Sequence, residues 1–186
     1  MSNTKERHEQ LMLDLLARLE PADRSLCEAL FSYMESLGYL PQKAQVSGYV
    51  LDFVNRDFNR KIARIGIRPG KAHTEAFSFS LRFSASDSYS EKFQDAVRKK
   101  NTSANAIKEY NDPALSCESC GVCPDDPRLY TYVYPDGQIV TSCGAYALPI
   151  TGLTIDDMDE IKRLVAAQHE YFASHIELKQ RASRKG

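Results

Sequence analysis

Three cysteines fall within seven residues, in the run Cys117-Glu118-Ser119-Cys120-Gly121-Val122-Cys123, and a fourth, Cys143, follows a short hairpin-like segment. Thiols this crowded hold a metal or do redox work. Four thiolates suit zinc, which they bind tetrahedrally with Zn–S distances of ~2.3 Å. Four cysteines also fill every position of a tetrahedral site and leave none for a substrate, so the chemistry expected of Cys117, Cys120, Cys123 and Cys143 is structural. A Cys-x-x-Cys pair can instead exchange disulfides, but redox motifs of that kind sit near a βαβ pattern. No such pattern surrounds this one.

The triple run resembles the ferredoxin-type iron–sulfur segment Cys-x-x-Cys-x-x-Cys, including Gly121 directly after the second cysteine. The resemblance covers about eight residues and implies a ligand geometry, with a 4Fe-4S cluster as the alternative cofactor. In ferredoxins the remaining ligand is typically followed by proline, whereas Cys143 is followed by Gly144. An enzyme using a loop cysteine as nucleophile is a further alternative. The fifth cysteine, Cys27, lies beside an apolar helical stripe and reads as a small buried hydrophobe.

A turn must bring the fourth thiol to the other three. Leu129–Tyr134 and Gln138–Cys143 flank Pro135-Asp136-Gly137, a strong hairpin signal. With Asp136-Gly137 as a two-residue turn, Val133 faces Val140 and Tyr130 faces Cys143. Cys143 then lies at the open end of the hairpin, and only six residues separate Cys123 from Tyr130.

The elements around the hairpin follow from periodicity. Leu11, Met12, Leu15, Leu16 and Leu19 make one helical stripe over 4–19, with Asn3 and Glu6 as a capping box, and Pro21 ends the run. Leu26, Leu30, Met34 and Leu37 make a second helix over about 22–37, ended by Gly38. The period then becomes two, in strands around Tyr49–Val54, Ala63–Arg68 and Phe77–Phe83. The third has one apolar and one polar face, as an antiparallel sheet covered on one side requires. Ser88 and Glu91 can cap a short helix through Phe93, Ala96 and Val97, with a further turn near 104–110. Thr154 and Asp157 open a last helix with the stripe Met158, Ile161, Val165, Phe172 and Ile176.

This order is α+β: an antiparallel sheet of about five strands, helices packed on one face, and an inserted cysteine-rich metal loop. The chain reads as one domain over 1–186, with 113–144 a metal-binding loop and hairpin within it. Other groups carry weaker readings. Arg64, Arg68 and Arg82, with Ser78 and Ser80, would share a polar sheet face, either anion-binding or solvated. Tyr130, Tyr132 and Tyr134 would line one face of the hairpin, for stacking or cross-strand packing. His169 leans towards the last helix's apolar stripe, and His73 falls in a turn.

Net charge is −1 and pI about 6.4, which gives no global attraction to nucleic acid or anionic membranes. No run approaches the ~18 apolar residues of a membrane span. With no signal-like segment, the chain reads as cytoplasmic, where thiols stay reduced. The functional expectation is a small metal-binding protein, a binding or regulatory module with a small molecule or a protein as partner.

Overall fold

Helical propensity and apolar spacing build the first layer of the computed structural model, which describes residues 2–57, 59–69, 75–101 and 128–183. Helix α1 (Ser2–Leu16) buries Leu15, with Leu11, Met12 and Leu16 partly covered. It begins at Ser2, so Asn3 lies within its first turn and is not its cap. Helix α2 (Pro21–Ser36) starts on Pro21, where the missing N–H costs nothing. It buries Leu26, Cys27, Leu30, Phe31 and Met34. Gly38 follows at φ +77°, the left-handed conformation that closes a helix.

Among the described residues seven strands follow: β1 (Tyr39–Lys43), β2 (Tyr49–Asn55), β3 (Arg60–Pro69), β4 (Glu75–Leu81), β5 (Leu129–Val133), β6 (Ile139–Cys143) and β7 (Leu148–Ile150). Helix α3 (Glu91–Asn101) lies between β4 and β5, and helix α4 (Met158–Ser183) follows β7. Five strands form one antiparallel sheet in the order β1-β2-β3-β4-β7, and among the described residues β5 and β6 pair only with each other. The fold is therefore α+β with a five-stranded antiparallel sheet, but the hairpin is not one of its strands. Its places are taken by β1 and β7, both short and both carrying a proline (Pro41, Pro149). Proline obscures period-two patterning, yet it is tolerated at a sheet edge, where both strands lie.

Register lines up the apolar face. Leu51 pairs with Ile65, Ile65 with Phe79, and Phe79 with Ile150; Phe53, Ala63, Leu81 and Leu148 make the next row. These side chains join the buried stripes of α1, α2 and α4 in one core. Thr154 and Asp157 make the expected capping box, and a short 3-10 turn (Ile155–Asp157) leads into α4. Ser90, and not Ser88, starts α3: its carbonyl accepts the N–H groups of Phe93 and Gln94.

On the opposite face Asp52 grips Arg64 through two bonds of 2.6 and 2.9 Å, with Lys61 at 3.4 Å. Arg64 is thus engaged with a carboxylate and does not present an open anion site. Arg82 leaves this face altogether; it is buried, its guanidinium 4.7 Å from the Phe172 ring centroid of α4. Burial works against the Asp52 carboxylate, but its bonds to Arg64 and the Lys61 charge outweigh that, so its pKa lies below the usual carboxylate range. A carboxyl lowered in this way stabilises the fold above its unfolded pKa of about 4, and the contribution is lost as pH falls through the lower folded value. Asp52→Asn is expected to cost about 1 kcal/mol at neutral pH. Urea melts should show that difference shrinking below about pH 4.

β4 and β7 are neighbours in the sheet, so everything between them is one excursion that leaves and returns. It contains α3 and the β5–β6 hairpin. Phe83 is its hinge in the core, with Tyr89, Phe93 and Tyr130 packed edge-on around it at 5.2, 5.4 and 5.1 Å.

Candidate metal centre

The hairpin turn has three residues where the sequence reading assigns two. Tyr134 N–H bonds to the Gln138 carbonyl at 2.8 Å, Gly137 N–H bonds to the Tyr134 carbonyl at 2.9 Å, and Gly137 has φ +85°. This is a type I turn closed by a glycine bulge. The Asp136 carboxylate accepts the Gln138 N–H at 3.0 Å and braces the turn. The extra turn residue shifts the register by one, so Cys143 faces Leu129 and Tyr130 faces Ser142.

The shift decides which side chains enter the core. Tyr130 and Val140 are buried, and so is Ser142. Tyr132 and Tyr134 pack edge-on at 4.8 Å. Tyr130 and Tyr132 therefore pack the hairpin against the core, and Tyr134 rests edge-on against Tyr132. Cys143 falls on the other face, half-buried, at the end of β6.

Several bonds hold this end of the hairpin rigid. The Tyr130 hydroxyl accepts the Phe83 N–H at 3.1 Å and donates to the Tyr146 carbonyl at 2.9 Å. The Asn101 side-chain amide, fully buried at the end of α3, donates to the carbonyls of Tyr130 and Val140, one on each strand. Ser84 Oγ donates to the Gly144 carbonyl at 3.0 Å, and Gln168 of α4 accepts the Ala85 N–H at 3.1 Å. Gly144 is wedged so tightly that an added Cβ would lie 1.9 Å from the Arg128 carbonyl oxygen and 2.6 Å from Ser84 Oγ. Only glycine lets residues 143–145 press against residue 128.

Cys143 is consequently fixed beside the point at which residues 102–127 rejoin the described chain. The Ala145 N–H lies 3.4 Å from its sulfur and donates to it. A metal-bound thiolate is a ready acceptor for such a donor. Cys117, Cys120 and Cys123 lie outside the described residues, as do His73 and the turn expected near 104–110. Among the described residues there is no group of three or more His, Cys, Asp or Glu that could hold a metal, and no helix is long and apolar enough to cross a membrane.

The remaining candidates resolve as packing. Cys27 is fully buried in α2; burial, with Asp23 and Glu28 nearby, pushes its thiol up to about 12, so it stays neutral and inert. His169 packs edge-on against Tyr39 at 5.7 Å. The hairpin anchors Ser84, Asn101 and Gln168 were not legible from spacing, because each bonds across a long stretch of chain. Compared with protein-family models, curated proteins and solved structures, the chain matches none.

Proposed function

We propose that the chain is a small metal-binding protein in which Cys117, Cys120, Cys123 and Cys143 hold a structural zinc ion. On this reading the metal ties an irregular loop to a rigid hairpin, and the product is a binding or regulatory module. The observation that carries the reading is the placement of Cys143. Its strand ends opposite Leu129, in a non-hydrogen-bonded pair whose Cα atoms lie ~4.5 Å apart. Cys123 precedes Arg128 by five residues, a tether of at most ~18 Å fully extended and much less when curled. A tether of that length allows Cys123 to reach the fourth sulfur. The N–H···S contact from Ala145 suits a sulfur that carries negative charge, as a metal-bound thiolate does.

Elemental analysis and a visible spectrum of anaerobically purified protein test this together. A colourless protein with about one zinc per chain is the expected result. Brown protein with broad visible absorbance would assign the same ligands to an iron–sulfur cluster. Protein with neither metal removes the site.

A further inference from the structure

Two positive charges converge on one aromatic ring at the corner where α1 and β1 both end. Lys43, the last residue of β1, places its Nζ 3.1 Å from the centroid of the Tyr49 ring. The guanidinium carbon of Arg18, just past α1, lies 4.8 Å from the same centroid. The two cations are therefore within about 8 Å of each other, close enough to repel. The ring itself is held in place, its hydroxyl 3.3 Å from both the Leu11 carbonyl and an Asp14 carboxylate oxygen. Its face attracts each cation, but a quadrupole carries no net charge and neutralises neither.

The neighbouring groups leave this charge uncompensated. Among the described residues neither Arg18 nor Lys43 makes an ion pair or a side-chain hydrogen bond. Asp14 is the carboxylate that acts on Lys43, and its two oxygens are engaged, one by the Gln10 amide at 2.7 Å and one by the Tyr49 hydroxyl. Burial and the Arg18 charge hold the Lys43 pKa below the usual lysine range against the pull of Asp14, so positive charge is in surplus there. Helix capping does not account for Arg18 either. Arg24 donates to the carbonyls of Leu16 and Leu19 at 3.1 and 3.3 Å and covers the end of α1. Both uncompensated side chains are exposed.

We propose that this corner binds the phosphate group of a small phosphomonoester, held between Arg18 and Lys43 beside Tyr49. A phosphomonoester brings close to two negative charges to two cations, whereas a carboxylate brings one. The guanidinium offers a planar fork of donors to two phosphate oxygens, and the ammonium meets a third as a point charge. The ligand would supply the negative charge that the chain itself withholds. β1 is the edge of the main sheet opposite β7, so this site stands apart from the hairpin and does not rest on the metal reading.

Titration of the full chain with methyl phosphate at about pH 7.5, followed by amide NMR, tests the proposal. Saturable shifts centred on Arg18, Lys43 and Tyr49 are expected, with none from chloride at the same ionic strength. Arg18→Gln and Lys43→Gln change exposed side chains, and each should weaken binding by at least about fivefold. Acetate should bind more weakly than methyl phosphate. Shifts that follow ionic strength and never saturate overturn the proposal. Saturable binding that neither substitution weakens places the site elsewhere and overturns it too, as does acetate binding as tightly as methyl phosphate.

Discussion

Protein carrying Cys143→Ser is expected to lose zinc to a chelator that leaves the wild-type chain loaded. Structural zinc contributes roughly 10–16 kcal/mol in small thiolate and imidazole sites. One ligand of four then accounts for about 3 kcal/mol, or roughly a hundredfold in affinity. The substitution should leave the main sheet standing. Cys143 sits on the outer face of the hairpin, while the core rows run through Leu51, Ile65, Phe79 and Ile150. Circular dichroism should therefore show native secondary structure in the variant, with the deficit confined to metal retention. Chelator competition measures it; equal zinc retention in both proteins would remove Cys143 from the ligand set.

Gly144→Ala is expected to produce the largest loss of stability among single-methyl additions to the hairpin. The new Cβ would lie 1.9 Å from a backbone oxygen, not from the flexible end of a side chain, so strand β6 must move or the Arg128 peptide must. Overpacking of this kind costs about 3 kcal/mol, which for a chain of this size lowers the melting temperature by roughly 6–12 °C. Movement there also breaks the bond from Ser84 to the Gly144 carbonyl. Zinc affinity should fall with stability, because the shift displaces the neighbouring sulfur. Gly137→Ala is the control: nothing lies within 4 Å of an added Cβ there, although φ of +85° still strains an alanine. It should cost only about 1 kcal/mol, with zinc affinity unchanged. Thermal melts of both variants separate the two effects.

The parts of this fold that were legible in the chain are those governed by local period. The stripes of α1, α2 and α4 and the alternation of β2, β3 and β4 each follow from neighbours in sequence. Two edge strands were not legible. Leu148-Pro149-Ile150 is three residues long, and only its pairing with β4, across the whole excursion, makes it a strand. Pro41 hid β1 in the same way. The hairpin itself was legible from Pro135-Asp136-Gly137, but its register was not. Gly137 can serve a two-residue turn or a three-residue turn with a bulge, and the choice exchanges the partner of Cys143.

The candidate site shows the same division. The proposed ligand set is read from the cysteine spacing, whereas the rigidity of Cys143 is not legible there. That rigidity comes from Ser84, Asn101, Tyr130, Gly144 and Gln168, which meet only in the folded chain. Arg82 illustrates the reverse error. It continues the polar alternation of β4 in sequence, yet β4 ends at Leu81 and the next residue turns beneath α4.

X-ray absorption at the zinc edge tests the four-thiolate claim most directly, because it counts the atoms bound to the ion. The wild-type chain should give four sulfurs at ~2.3 Å, and Cys143→Ser should give three with a lighter ligand in the fourth position. Nitrogen or oxygen ligands at ~2.0–2.1 Å in the wild-type chain, or an unchanged sulfur count in the variant, would contradict it.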